Sequence, residues 1–408
     1  MKASWYYSLY KSIIMQKVVI FLGLLINALA HPEQRSKYFV GLEMNQTNDF
    51  EIFNLANQNE NSTLTTTSSE CKCLPFHMCA NAASQIDIRS FTFEDTCSSY
   101  LEICCSPNSI IPDSSIKFIE PNNVSLVASN CGTRNENGIR FNIIGNNNNE
   151  AQFAEFPWHV AIFKEIRSSN GDISNTYACG GSLINQSVIL TAAHCLYQKG
   201  TPLLNVQMWK VRAGEWDLNT TFEPYSHQDR AVRKIVIHPH FRRSGVLNDI
   251  ALLFLTQPFE LGPHINSICL PNPDLVFDQR SCFATGWGKD SFDDEANFQH
   301  ILKRIELPIV ARELCVQRLR ETRLGLNFEL HPSFICAGKP GHDTCTGDGG
   351  SPLICQIRNA PGRYAQAGIV SWGIKCGDPR VPGVYVNVSM FWDWVHDEMK
   401  LNDLSTKS

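Results

Sequence analysis

Three short segments carry residues whose types suit nucleophilic chemistry. Thr191-Ala-Ala-His194-Cys195 sets a histidine beside a cysteine. Asn248-Asp249 sets a carboxylate at the head of the apolar run Ile250–Leu253. Asp343-Thr-Cys-Thr-Gly347-Asp348-Gly349-Gly350-Ser351-Pro352 is a glycine-rich turn, followed by Ser371-Trp372-Gly373 and Gly383-Val384-Tyr385. An imidazole oriented by a carboxylate can deprotonate a hydroxyl nucleophile, which is what acyl transfer requires. Alone, each segment is weak evidence. A lone histidine is more often structural, and an aspartate before a strand is often a cap. Their meaning depends on a scaffold that brings them together.

That scaffold reads as mainly β. Between residues 143 and 408, short β-branched runs recur between Gly, Pro and Asn: His159–Phe163, Val188–Thr191, Val211–Ala213, Ala231–Ile237, Ile250–Leu255, Phe283–Gly286, Gly368–Val370 and Gly383–Val388. Regular short strands with turn signals argue for an all-β sandwich or barrel. The tail differs. Phe391, Trp394, Val395 and Met399 fall at helical spacing, which predicts one terminal helix over Met390–Leu401 packed on the sheets.

Ahead of residue 143 the chain changes character. Val18–Ala30 is apolar, follows Lys17 and ends Ala28-Leu29-Ala30, a signal-peptide pattern with cleavage expected after Ala30. Met15 offers a second start. The apolar run is too short to cross a bilayer as a helix, which needs roughly 20 residues. Residues 31–70 are rich in Asn, Gln, Thr and Ser and read as a low-complexity linker, with too little apolar surface to offset ordering. Residues 71–105 hold six cysteines, Cys71, Cys73, Cys79, Cys97, Cys104 and Cys105, in a segment too small for a core of its own. Their spacing does not match the paired CxxC of zinc modules. Residues 106–142 read as a second linker, interrupted by Cys131.

The 408-residue chain has 16 cysteines and a net charge of -5. An even, high cysteine count implies a disulfide framework in an oxidising compartment. Loss of residues 1–30 removes Lys2, Lys11 and Lys17 and no acid, leaving 32 basic and 40 acidic residues, or -8. An acidic chain without a basic block excludes nucleic acid as a partner, since such affinity rests on neutralising phosphates. The sequons at Asn45, Asn61, Asn123, Asn185, Asn219 and Asn387 suit a secreted chain, although Asn387 sits just before the expected helix.

In the order His, Asp and glycine-rich turn, residues 143–408 resemble a chymotrypsin-family serine protease domain. The resemblance implies a double β-barrel with a C-terminal helix. The family pattern at the nucleophile is Gly-Asp-Ser-Gly-Gly-Pro; this chain reads Gly347-Asp348-Gly349-Gly350-Ser351-Pro352. His194 and Asp249 match two triad positions, and Gly349 takes the place of the nucleophilic serine. Glycine has no hydroxyl, and removing the nucleophile of a related protease costs roughly a factor of 10⁶ in kcat, or about 8 kcal/mol. Ser351 is two residues away, whereas catalytic geometry tolerates about 0.5 Å. The resemblance places the oxyanion hole at the Gly347 and Gly349 N–H groups. It places a specificity pocket for Lys or Arg at Asp343, Ser371, Gly373 and Gly383. Lys375 stands where the family usually has Gly, and either covers that pocket by pairing with Asp343 or points to solvent. Activation is degenerate too. No basic residue precedes Ile143-Ile144-Gly145, the nearest being Arg140, and Asp348 is left without the new terminal amine it would receive.

The six-cysteine segment resembles the clip domain of arthropod proteases. Sequence alone allows 15 pairings. The resemblance implies Cys71–Cys104, Cys73–Cys97 and Cys79–Cys105. In the larger domain it implies Cys131–Cys269, Cys179–Cys195, Cys282–Cys355, Cys315–Cys336 and Cys345–Cys376. With Glu150-Ala-Gln-Phe-Ala-Glu-Phe-Pro-Trp158, Gly214-Glu-Trp-Asp217 and His227-Gln-Asp-Arg230, the chain resembles insect clip-domain serine protease homologs of the phenoloxidase-activating-factor-two type. This implies an inactive, extracellular haemolymph cofactor, cut by an active clip protease, that assists activation of prophenoloxidase in melanisation. The resemblance also implies oligomerisation after the cut. Arg89, the only Lys or Arg between Cys79 and Cys97, is the candidate processing site. Two other readings stand beside it: an inactive regulator of epithelial or matrix development, and an active trypsin-like endopeptidase, which the missing serine disfavours. No cofactor is expected, with Glu215 and Glu223 as weak Ca²⁺ candidates in the loop that binds this ion in some relatives.

Overall fold

The computed structural model describes residues 71–75, 78–80, 85–87, 97, 101–111, 131–144, 149–167, 170, 172–198, 200–275, 277–289, 298–339, 344, 347–374 and 380–404. The leader, the first spacer, Arg89, Asp343, Lys375, the Cys345–Cys376 pair and the sequons at Asn45, Asn61 and Asn123 lie outside the described residues.

In the six-cysteine segment, β1 (Lys72–Pro75) pairs antiparallel with β3 (Glu102–Cys105), setting Cys73 opposite Cys104. Cys71–Cys104, Cys73–Cys97 and Cys79–Cys105 are bonded there. In so short a segment, these bridges supply the order that a core supplies elsewhere. Between them, β2 (Gln85–Asp87) runs parallel to β4 (Asn142–Ile144) at the start of the large domain, with Ile86 opposite Ile143.

The large domain has two β-layers. The first is a closed barrel of β5 (His159–Arg167), β6 (Ile173–Asn185), β7 (Val188–Thr191), β10 (Trp209–Ala213), β11 (Gln228–Ile237) and β12 (Ala251–Leu255). A small hairpin, β8 (Tyr197–Gln198) with β9 (Thr201–Pro202), projects between β7 and β10. The second layer is a seven-stranded antiparallel sheet. It contains β13 (Phe277–Gly286), β14 (Lys303–Glu306), β15 (Ile309–Val310), β16 (Phe334–Ala337), β17 (Pro352–Ile357), β18 (Tyr364–Trp372) and β19 (Gly383–Asn387). In β10, Trp209, Val211 and Ala213 are buried and the two residues between them are half-buried, the period-two pattern of a sheet with one core face. β12 is buried throughout, as a strand covered on both faces must be. Among the described residues, two helices complete the domain. α1 (Arg312–Arg320) buries Cys315 and Leu319, one turn apart, and bonds to β16 through Cys315–Cys336. α2 (Trp392–Leu404) follows a 3₁₀ turn, Val388–Phe391, and docks Val395 into the core. The tail thus begins its α-helix two residues later than the spacing predicts.

The second linker expected at 106–142 ends early. Its final part, from residue 131, is built into the large domain. Cys131 is bonded to Cys269. Arg134 is buried against Glu155 and donates to the Tyr364 hydroxyl at 3.2 Å. Its guanidinium lies 4.3 Å from the Phe283 ring centre. Phe141 is buried beside Phe153 and Trp216. A polar-looking stretch is fixed here by one buried ion pair and one aromatic side chain.

Candidate functional site

The barrel register puts two of the three key positions together. Ala251 of β12 pairs with Thr191 of β7. Asp249 lies two residues before Ala251, and His194 three residues after Thr191. In an antiparallel pair that sets Asp249 beside the 3₁₀ turn Ala193–Leu196, which carries His194. Asn248, at φ 53°, turns the chain into Asp249 and donates its side-chain N–H to the His240 carbonyl at 2.9 Å. The Cys179–Cys195 bridge ties the histidine turn to β6.

Asp249 is fully buried and its two oxygens have separate duties. Oδ1 accepts the His194 backbone N–H at 2.8 Å, and Oδ2 lies 2.7 Å from His194 Nδ1. The Ser371 hydroxyl donates to Oδ2 at 2.6 Å. Burial alone would lower the His194 pKa. The attraction of Asp249 and their hydrogen bond outweigh it, so the imidazolium is favoured beyond its ordinary value. Ser371, expected as a pocket residue, is therefore also an orienting group for Asp249.

Gly349 reaches the site from the turn before β17. Its carbonyl accepts the Gly180 N–H of β6 at 3.0 Å, and Gly350 N–H donates to Val370 at 3.0 Å. Gly350 sits at φ 80°, and a Cβ there would lie 2.3 Å from Thr191 Oγ1, so this position requires glycine. A Cβ on Gly349 would lie 2.6 Å from His194 Nε2. That distance is closer than a side chain tolerates, so the imidazole occupies space a nucleophile would need. Ser351 is fully buried, and its Oγ lies 2.0 Å from where a Cβ on Gly180 would be. Its hydroxyl is turned to the Gly180 backbone.

The residues around Gly347 add features that sequence reasoning missed. The Tyr177 hydroxyl donates to the Gly347 carbonyl at 3.1 Å, and Phe298 stands over Gly347 with its ring 6.3 Å from that of Tyr177. Neither has a local motif to mark it. Asp348, expected to lack a partner, accepts the Gly288 N–H at 2.9 Å. Ile143 is buried, and its N–H and carbonyl are both taken by the Gln152 amide, at 2.7 and 2.8 Å. With β2 on its other edge, the Asn142–Ile143 junction is held on both sides.

Of the pocket residues, Ser371 lies in β18, Gly373 directly follows it and Gly383 opens β19; Asp343 and Lys375 lie outside the described residues. The structure pairs Cys282 with Cys355, completing seven bridges among the described residues. The sulfurs near His194 are disulfide-bonded, which removes the Cys179, His194 and Cys195 cluster as a metal site. Asn185 and Asn219 are exposed, whereas Asn387 is half-buried and accepts the Ser389 hydroxyl at 2.8 Å.

Glu215 and Glu223 do converge. Glu215 already receives Arg212 at 3.0 Å and the Trp216 N–H at 3.0 Å, so a fixed guanidinium supplies the charge a cation would bring. Burial, then the neighbouring Glu215, push the Glu223 carboxyl up to about 8. Between the ordinary 4.5 and about 8, the folded protein holds a proton that the unfolded chain releases. Stability therefore falls as pH rises through that window, by a few kcal/mol at ~1.36 kcal/mol per unit. Glu223→Gln is expected to flatten this fall and to raise Tm at pH 8 in calorimetry with EDTA present. An unchanged slope would show that Glu223 does not hold that proton.

A closed barrel joined to a second antiparallel sheet, with a histidine–aspartate pair in the seam, defines a chymotrypsin-like serine protease fold. The profile of the trypsin family matches residues 145–395, and that of the serine protease clip domain of the PPAF-2 type matches residues 60–106. The chain belongs to the trypsin family, as a member that carries a clip domain. It is 50% identical over 275 residues to phenoloxidase-activating factor 2 of Galleria mellonella, covering 66% of this chain and 88% of that one. It is 40% identical over 334 residues to inactive CLIP domain-containing serine protease A8 of Anopheles gambiae, covering 79% and 87%. To inactive CLIP domain-containing serine protease A28 of the same species it is 37% identical over 324 residues, covering 77% and 80%.

Proposed function

We propose that this chain is a secreted, non-catalytic regulator in an extracellular protease cascade, and that it assists activation of prophenoloxidase. The observation that carries the reading is Gly349. The His194–Asp249 pair is assembled, but the group that should face His194 Nε2 has no side chain. Close relatives named as inactive clip proteases, and one named as a phenoloxidase-activating factor, support the same reading. On it, the active clip protease cuts after Arg89, just beyond β2. Asp343, Gly373 and Gly383 would retain a recess for a basic side chain, which Lys375 would either cover by pairing with Asp343 or leave open by pointing to solvent. Asn185 and Asn219 would carry glycans in this secreted protein, and the engaged Asn387 would not. No cofactor is needed, because Arg212 serves Glu215; replacing EDTA with 1 mM Ca²⁺ should leave Tm unchanged.

The test is reconstitution. Mature protein, prophenoloxidase and an active clip protease are mixed, and phenoloxidase is read with and without this chain. A rise in phenoloxidase without hydrolysis of a chromogenic arginine peptide is expected. No rise would end the cofactor reading, and peptide hydrolysis by the wild-type chain would end the non-catalytic one. Mass spectrometry of the processed protein reads the Arg89–Ser90 bond and the glycosylated asparagines directly.

A further inference from the structure

The Cys131–Cys269 bridge carries a cation on both of its sulfurs. The Arg363 guanidinium donates to Cys131 Sγ at 3.5 Å and to Cys269 Sγ at 3.4 Å. Sulfur in a disulfide is a neutral and weak acceptor, so the cation gains little there. A thiolate in the same place would be a charged acceptor, and the bond would join the stronger class. Arg363 is therefore placed to favour the open bridge, as a neighbouring arginine favours any thiolate.

Arg363 reaches the bridge from the turn between β17 and β18. Its N–H donates to Ala360 at 3.0 Å, and its carbonyl accepts the Ile357 N–H at 2.8 Å. The cysteines themselves are held by main-chain bonds that do not pass through sulfur. Gly132 N–H donates to Ser267 at 2.8 Å, Tyr364 N–H to Gly132 at 2.8 Å, and Gln366 N–H to Cys269 at 3.0 Å. The sulfurs can part while these bonds stay, so the bridge can open and close again in place. Cys131 is half-buried, whereas only 8% of Cys269 is exposed. An incoming thiol therefore meets Cys131 first. Cys282–Cys355 and Cys315–Cys336, each sulfur-bearing residue 1% exposed or less, offer no such approach.

We propose that Cys131–Cys269 is a thiol-exchange site, opened by a thiol or dithiol reductant that attacks Cys131. The reductant's thiolate forms a new S–S bond with Cys131 Sγ. The Cys131–Cys269 bond breaks, and its electron pair leaves on Cys269 Sγ, as a thiolate held by Arg363. A monothiol stops there, as a mixed disulfide on Cys131. A dithiol goes on. Its second thiolate displaces Cys131 Sγ, so that the dithiol is oxidised to a disulfide and the bridge is reduced by the same two electrons. The consequence is for stability. This bridge spans 138 positions, the longest closure among the seven of the described residues. In the chain-entropy account the longest loop restrains the unfolded chain most, so opening it makes the large domain easier to unfold.

The experiment uses the full-length mature protein, with glutathione and, separately, dithiothreitol. Samples are quenched with iodoacetamide over time, and each bridge is followed by mass spectrometry of its peptides. Cys131–Cys269 should open ahead of Cys282–Cys355 and Cys315–Cys336, and glutathione should be found on Cys131 rather than Cys269. Arg363→Met should slow this opening by about tenfold, the scale of a charge-assisted hydrogen bond. Arg363→Lys should recover part of the rate. Loss of a merely structural contact would loosen the region and speed the opening instead, so the direction of the change separates the two roles. Cys71–Cys104, whose Cys104 is exposed, is the control and should open at one rate in all three proteins. Calorimetry of the opened, alkylated protein should show a lower Tm. An opening no faster than that of the two buried bridges, glutathione on Cys269, an Arg363→Met rate equal to or above that of the wild type, or a Tm unmoved by the opening would overturn the proposal.

Discussion

Gly349→Ser should bring acyl transfer into a site where the wild-type chain has none. Hydrolysis of a chromogenic arginine ester is expected to rise by about 10³ or more, and a fluorophosphonate should label the variant but not the wild type. The basis is that the general-base pair is assembled. Asp249 holds His194 through both its backbone N–H and Nδ1, and Ser371 fixes Asp249 in turn. Losing the nucleophile of a related protease costs roughly 10⁶. The gain should fall short of that, because the His194 ring must first retreat from a contact of 2.6 Å with the new Cβ. A histidine side chain can do so at modest cost, whereas a backbone obstacle could not. Ser351 stays silent in both proteins, since its hydroxyl is buried against Gly180. A folded variant that resists the fluorophosphonate would mean that Gly349 is not the sole defect.

The second large effect is on stability. Glu155→Ala should lower Tm by about 10 °C, from a loss of roughly 3–5 kcal/mol. Glu155 is fully buried and holds the Arg134 and Arg304 guanidinium groups, the latter at 2.6 Å, together with the Gln152 N–H at 2.8 Å. Removing it leaves Arg134 charged and buried among Phe156, Phe283 and Tyr364. An uncompensated buried charge is what makes such deletions severe. Replacing both partners with apolar residues, Arg134→Met with Glu155→Leu, should recover much of the loss. A fall in Tm below about 2 °C for Glu155→Ala would show that residues 131–141 are held by other contacts.

These two cases also mark how far the sequence could be read. Gly349 was legible because it breaks a short, specific pattern between conserved chemical roles, and His194 and Asp249 because they fall in family order. The strand runs followed from β-branched segments between turn residues, and the bridges from the family resemblance, since cysteine spacing alone left the pairings open. Residues 131–141 were not legible. Their polar composition carries no period, and what orders them is a carboxylate 21 positions away and rings more distant still. Tyr177, Gln152 and Phe298 were missed for a related reason. Each acts through a contact with a main-chain group that only the folded chain brings near. Arg89 and the rim of the pocket remain readings of sequence.

The bridges also divide the chain into two covalent islands. Cys71, Cys73 and Cys79 pair only with Cys97, Cys104 and Cys105, and Cys131 pairs onward to Cys269. None of the seven joins the first island to the second. A nick between Cys79 and Cys97 therefore leaves a single species on a non-reducing gel, because loops closed by sulfur span the break. A nick between Cys105 and Cys131 leaves two species even without reductant, held in solution by the three-residue ladder of β2 on β4. The electrophoretic pattern thus tells a cut between Cys79 and Cys97 from one between Cys105 and Cys131.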